Sequence, residues 1–258
     1  MVAHYGDVDL PPFCISGGAA KVTPEFKYLG SWFAQDGRMD KEIGFRNGRA
    51  LGTFHSFDKV WANKKLRLST KMAVYMSFVL PHFLYGCESW VATAAQMCVL
   101  EHSHSQCLRR ILGIELRGHH RLTYIREACG CGSLEIMIAK RSLQWLGHIA
   151  RMSAARYPRM AFDCSVAGAF RSVGRPRFAP RHAFGGLLRR TRLVPPAART
   201  ADWTTISDAA FVCAQDKQGW RSAVRALESF EVPPDPGPAR VSSRERVPIM
   251  RYGAFQSH

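Results

Sequence analysis

Carboxylates are scarce in this sequence of 258 residues: 20 Asp and Glu stand against 36 Lys and Arg, a net charge of +16, and the pI is near 10.0. That shortage sets the chain apart from the near-neutral surfaces of most soluble enzymes and draws polyanions through a long-range field. Between Asp163 and Asp202 acid fails altogether, while Arg171, Arg175, Arg177, Arg181, Arg189, Arg190, Arg192 and Arg199 fall in the same interval. No two aspartates are adjacent, and the sole Asp-x-Asp is Asp7 with Asp9. Long apolar runs are missing too. The stretch Met72 to Cys87 carries no formal charge, but it spans 16 residues and includes Pro81 and His82. A bilayer-spanning helix needs about 20 apolar residues, so a buried core helix is expected and no membrane partner. The segment Met1 to Leu10 has neither a basic start nor an apolar core, which excludes a secretory signal there. The expectation is an intracellular protein, nuclear or cytoplasmic, in a reducing compartment. The eight cysteines, at 14, 87, 98, 107, 129, 131, 164 and 213, lack the dense spacing of a disulfide scaffold and are expected as free, mostly buried thiols.

What is present suffices for a core, since 47% of the residues are apolar. Strand signals are confined to the first thirty-odd residues, where Phe13-Cys14-Ile15-Ser16, Val22 and Phe26 to Phe33 are separated by turn residues. From Asp40 the period changes. Ile43, Ala50, Phe54, Phe57 and Trp61 recur on one helical face, with Lys41, Arg46, Arg49 and Lys59 assigned to the other. Ser69 is a plausible cap for a second helix through Met72, Met76, Val79 and Phe83, kinked at Pro81 and ending near Gly86. A third is expected from Ala94 to Leu112, stopped by Gly113, and a short fourth from Leu122 to Cys129. Ser133 begins another that carries Leu134, Met137, Ile138, Trp145, Ile149 and Met152. One helix is expected over Pro180 to Arg190, and one helix or a pair over Trp203 to Phe230. Beyond Val232 the Pro-rich end reads as disordered. The fold class expected is mainly α: a helical bundle with a short N-terminal β-hairpin and a basic, partly disordered C-terminal extension.

Short signatures punctuate this pattern. They are Phe26-Lys27-Tyr28-Leu29-Gly30-Ser31, Leu84-Tyr85-Gly86-Cys87-Glu88-Ser89-Trp90, Leu108-Arg109-Arg110-Ile111-Leu112-Gly113, Trp145-Leu146-Gly147-His148-Ile149-Ala150-Arg151-Met152, Gly174-Arg175-Pro176-Arg177 and Gln215-Asp216-Lys217-Gln218-Gly219-Trp220-Arg221. In this order, from about Phe26 to Leu227, the chain resembles the C-terminal part of reverse transcriptases of non-LTR (LINE-type) retrotransposons. The resemblance implies that Tyr28-Leu29-Gly30 lies on the hairpin that ends the polymerase palm and touches the primer terminus, and that the helices after it form the thumb. It divides the chain into a palm-end remnant at 1–36, a thumb-like bundle at 37–115, connecting helices at 116–163, an arginine-rich connector at 164–201, a helical segment at 202–231 and a tail at 232–258. Polymerases of that family hold two metal ions on an Asp-Asp turn upstream of the Tyr-Leu-Gly strand. This sequence has no such pair, and it lacks the fingers and most of the palm. No catalytic residue and no cofactor are therefore assigned; Mg²⁺ belongs only to the full-length polymerase.

Nucleic acid, whether RNA, DNA or their hybrid, is the partner these residues suggest, alongside the missing palm and fingers. Lys27 and Tyr28 offer a cation and a flat ring to a primer. Arg46, Arg49, Lys64, Lys65, Arg67 and Lys71 cluster around the first two helices, where they could track a duplex backbone. Arg175, Arg177, Arg181, Arg189 and Arg190 belong to an acid-free stretch that repels itself unless a polyanion neutralises it. Two other readings stay open: a basic helical module that recruits an acidic protein, and a relic of a decayed element with no selected function. A metal site is not assigned, because Cys98 with His102 and Cys129 with Cys131 do not form a recognisable four-ligand set. The six tryptophans are expected mainly in the core.

Overall fold

The structure is a computed structural model that describes residues 14–15, 18–19, 23–34, 37–114, 120–163, 180–199 and 202–227. It is mainly helical, with short antiparallel strand pairs at its N-terminal end. Strand β1 (Cys14–Ile15) pairs with β2 (Gly18–Ala19), and β3 (Glu25–Tyr28) pairs with β4 (Ser31–Ala34) in the register Phe26 to Phe33 and Lys27 to Trp32. The β3–β4 turn is Leu29-Gly30, and both residues have positive φ, +48° and +87°. A two-residue hairpin turn with both φ angles positive matches the twist of its strands. Gly30 adopts that backbone freely. Leu29 does so at a cost of about 1–2 kcal/mol.

The hairpin is two-faced because side chains alternate along a strand. Lys27 and Trp32 lie over helix α1 (Asp40–Ser56), with the Trp32 ring edge-on to Phe45 at 6.4 Å and the Lys41 ammonium 3.8 Å from the indole centroid. Phe26, Tyr28 and Phe33 are exposed on the other side. Leu29, at the tip, is exposed as well, whereas α1 half-buries Trp32.

The helical face expected over Ile43 to Trp61 is interrupted at Phe57, where α1 gives way to α2 (Asp58–Ala62), yet Ile43, Ala50, Phe54 and Trp61 all reach the core. Ser69 is not a cap. Helix α3 (Leu68–Val74) starts after Arg67, which holds extended backbone at the cap position. The chain then widens into a π-helical turn at Tyr75–Val79 before α4 (Leu80–Phe83). Pro81 supplies no N–H and clashes with the carbonyl four residues back, so the ladder is relieved just ahead of it. Gly86, at φ +70°, turns the chain into a 3₁₀ turn at Cys87–Ser89.

Helix α5 (Ala94–Leu112) has the expected bounds and a reciprocal capping box, in which the Gln96 N–H donates to Thr93 Oγ1 at 3.3 Å and the Thr93 N–H to Gln96 Oε1 at 2.9 Å. Gly113 ends it at φ +69°. Helix α6 (Leu122–Cys129) follows as expected, and α7 (Leu134–Ala150) is capped by Ser133 as expected but stops before Met152. After α8 (Tyr157–Asp163) come α9 (Pro180–Arg189), α10 (Pro196–Arg199), and a helical pair, α11 (Trp203–Cys213) and α12 (Lys217–Arg225), capped by Asp202 and Asp216.

Two apolar clusters result. The first joins α1 to α6 through Phe54, Trp61, Tyr75, Phe83, Leu100 and Leu108, and the second joins α7 to α12 through Leu146, Phe162, Leu188, Ile206 and Trp220. Helix α7 feeds both, giving Leu134 and Ile138 to the first and Leu143, Leu146 and Ile149 to the second. Cys87, Cys107, Cys129 and Cys131 are free and buried, while Cys98 is free and exposed. Among the described residues no helix is long and apolar enough to cross a membrane. The tail beyond Val232, read as disordered, lies outside the described residues.

Candidate nucleic-acid interface

The sequence signatures meet in pairs. At the hairpin, the Tyr85 hydroxyl donates to the Leu29 carbonyl at 2.8 Å, and the Arg46 guanidinium donates to the Gly30 carbonyl at 2.7 Å and to Ser31 Oγ at 3.2 Å. Both glycines are matched to this joint. A Cβ on Gly30 would touch the Tyr85 ring, and one on Gly86 would approach Ser31 Oγ to 3.2 Å. Arg46 also lies 4.3 Å from the Tyr85 ring centroid and pairs with Glu42 at 2.7 Å, and the second Glu42 oxygen accepts from the Trp32 N–H at 2.7 Å. The tip is thereby held in one position with Tyr28 57% and Leu29 76% exposed.

A second joint links the signature on α7 with the one that opens α12. Trp220 Nε1 donates to the Leu143 carbonyl at 2.9 Å, Gln215 to Ala150 at 3.1 Å, and Arg151 to Ala214 at 2.7 Å. The indole lies directly over Gly147, where any Cβ would overlap it. Between the joints, α7 docks on the second signature, since Arg141 donates to the Leu84 carbonyl at 3.1 Å and Ser142 to Cys87 at 3.4 Å. Arg109 and Arg110, in the third signature, bond the His120 carbonyl at 3.0 Å and Asp58 at 3.1 Å.

The sequence-nominated cations divide sharply. Lys27, Arg49, Lys64, Lys65 and Arg67 are exposed, and the last three make no ion pair among the described residues. They occupy β3, α1 and the turn between α2 and α3. Arg46 and Lys71 must be withdrawn from a phosphate-facing set. Both are buried, Arg46 in the joint described above and Lys71 with its ammonium 2.7 Å from the Trp61 carbonyl. Arg190 pairs with Glu135 at 2.8 Å, and Arg189 is half-buried on α9. Arg175 and Arg177 lie outside the described residues; Arg181 falls in the first turn of α9, whose side chains also lie outside them. Arg49 and Arg46 flank His82, which burial and these two cations hold below the usual imidazole range.

Residue spacing did not reveal His104, which lies at the centre of the first core. Its Nε2–H donates to the Gly132 carbonyl at 3.1 Å, a group that only accepts, so Nδ1 accepts from the Tyr75 hydroxyl at 2.6 Å. Burial holds His104 down to about 4 and pushes the Tyr75 phenol well up. It also pushes Cys131, 3.9 Å from His104 Nε2, up to about 11, so this thiol is a packing group and not a nucleophile. Cys98 and His102 do not join such a site: both are exposed, and His102 Nε2 is 2.8 Å from Gln106. Among the described residues no three His, Cys, Asp or Glu side chains are grouped to hold a metal ion. Trp61 and Trp220 are buried, and Trp32, Trp90 and Trp145 are half-buried.

The fold and these joints define a mainly helical, strongly basic protein with an exposed aromatic hairpin. No family model matches the chain, and no solved structure does. It is 26% identical over 215 residues to the transposon-derived protein F52C9.6 of Caenorhabditis elegans, itself uncharacterized, a match that covers 78% of this chain and 70% of that protein. The similarity indicates a transposon origin for this chain.

Proposed function

We propose that the chain is the palm-end hairpin, thumb-like bundle and downstream basic extension of a non-LTR (LINE-type) retrotransposon reverse transcriptase, and that its own biochemistry is sequence-independent binding of an RNA, DNA or hybrid backbone. The observation that carries this reading is the joint at the hairpin. Tyr85, Arg46 and Glu42 fix the tip so that Tyr28 and Leu29 are presented to solvent on one side of the hairpin, while Lys27 is exposed on the α1 side and Arg49 further along α1. An exposed flat ring on a hairpin that also carries an exposed cation suits a nucleic-acid strand, whose bases stack and whose phosphates attract. Transposon origin supports it, because copying a mobile element requires contact with its nucleic acid.

Nucleotide transfer is not assigned to this chain. The Mg²⁺ ions of a polymerase need converging carboxylates, and the sequence has no adjacent aspartates. The test is filter binding of the purified chain to duplex DNA across a salt series. Contact with six to ten phosphates lowers affinity by about 10³ to 10⁵ between 50 and 200 mM salt. A flat salt response overturns the reading.

A further inference from the structure

Packing accounts for only part of the signature Gln215 to Arg221. Asp216 caps α12 by accepting from the N–H groups of Gln218 and Gly219 at 3.1 and 3.0 Å. A Cβ at Gly219 would overlap the Asp216 carboxylate and push it out of this capping position, and Trp220 fills the space over Gly147. Lys217 and Arg221 take part in none of this. Both are exposed, as is Arg225 one turn further on, while Trp220 and Val224 between them are buried. Steps of four residues place the three cations about 6 Å apart along roughly 12 Å of helix. Among the described residues none of the three has an ion-pair partner. Lys217 also stands in the first turn, where the positive end of the helix dipole disfavours a cation.

The neighbouring surface continues the pattern. Helix α7 runs antiparallel to α12, since Lys140 Nζ donates to the Arg225 carbonyl at 2.8 Å, Trp220 to Leu143, and Arg151 to Ala214. Its edge along α12 carries Lys140, Gln144 and His148. Within its bounds α12 has no acid, the carboxylate of its cap Asp216 is turned onto the Gln218 and Gly219 N–H groups, and the one acid of α7, Glu135, is bonded to Arg190. The geometry points to a second nucleic-acid site here, in which Lys217, Arg221 and Arg225, with Lys140 behind them, hold phosphates of one strand. Twelve ångströms faces about three to four phosphates of one strand at 3.4 Å per charge. An acidic protein fits less well, because protein interfaces centre on a buried apolar or aromatic anchor, and the exposed positions between the cations are Gln218, Gly219, Ser222 and Ala223.

This site rests on the nucleic-acid reading above, and the experiment separates the two. Fluorescence anisotropy of the full chain is measured with a 20-base-pair DNA duplex over a salt series. The ridge variant K217Q/R221Q/R225Q is expected to reduce the slope of log affinity against log salt by about 2 to 3, at about 0.9 per lost phosphate contact. The charge-keeping variant K217R/R221K/R225K is expected to retain the wild-type slope, and the control R121Q/R156Q to change it by less than about 1. An unchanged slope in the ridge variant overturns the ridge and leaves the hairpin reading standing. A control that falls two-thirds as far as the ridge variant overturns it as well, because the loss is then diffuse charge. Absence of duplex binding by the wild type overturns both. Displacement of the duplex by polyglutamate at equal charge concentration assigns the ridge to an acidic protein instead.

Discussion

Arg46 shares a face of α1 with Ile43, Ala50 and Phe54, and its guanidinium holds a carboxylate, a turn carbonyl and an aromatic ring at once. The spacing in the sequence contained this information: 43, 46, 50 and 54 step by three and four, and Glu42 to Arg46 is an ion-pair interval. Reading Arg46 by its charge put it on the solvent face; reading it by its position puts it inside. Truncating it to alanine leaves Glu42 buried without its partner, and removing one member of a buried pair costs about 3–5 kcal/mol. Urea denaturation of R46A should show that loss, and R46A/E42Q should recover part of it; a change under about 1 kcal/mol in R46A would refute the joint. His104 gives a second expectation. Its imidazole, held down to about 4, titrates near 6.5 once unfolded, so the unfolded chain binds more protons between those values. The stability contribution is fully present above pH 6.5 and is lost as pH falls toward 4, by about 3 kcal/mol at the acid end. Thermal melts of wild type and H104Q across pH 4 to 7 check this, since the variant should lose that part of the pH dependence.

Among the elements, helices were legible wherever an apolar period coincided with a cap or a stop. Thr93, Ser133, Gly113 and Gly130 mark such ends; α5 and α6 have the expected bounds, and α7 starts at its expected cap but ends at Ala150, two residues short of Met152. The α3 boundary was missed because Arg67 occupies the cap position without a side-chain bond, so the start is set by packing of Met72 and Tyr75. The docking of α12 on α7 was not legible, because Gly147 looks like a helix-weakening residue until Trp220 is seen lying on it, 73 positions away in the sequence. In isolation Gly147→Ala improves helix propensity by about 1 kcal/mol. Here the added methyl overlaps the indole, and overpacking of this kind costs about 1–3 kcal/mol. The substitution is expected to lower the melting temperature and to alter the near-ultraviolet circular dichroism of Trp220, which propensity alone would not do.

At the scale of the molecule, α7 decides whether there is one folding unit or two. The division inferred from family resemblance separates a thumb-like bundle from connecting helices and a C-terminal segment, but α7 enters both apolar clusters and bonds Leu84 and Cys87 on one side and Trp220 on the other. A helix of 17 residues that buries Leu134 and Ile138 in one cluster and Leu146 and Ile149 in the next cannot melt in one half without exposing the other. The clusters should therefore unfold together. Leu108→Ala and Leu188→Ala remove fully buried side chains from the first and second cluster respectively, each at a cost of about 2–5 kcal/mol. In native-state hydrogen exchange, the slowest amides of α5 and α11 are expected to report one opening free energy, and either substitution should lower both by the same amount. If Leu108→Ala weakened α5 while α11 kept its protection, α7 would be a hinge between two independent cores. The proposed hairpin and α12 sites would then be separately tethered, not parts of one rigid surface.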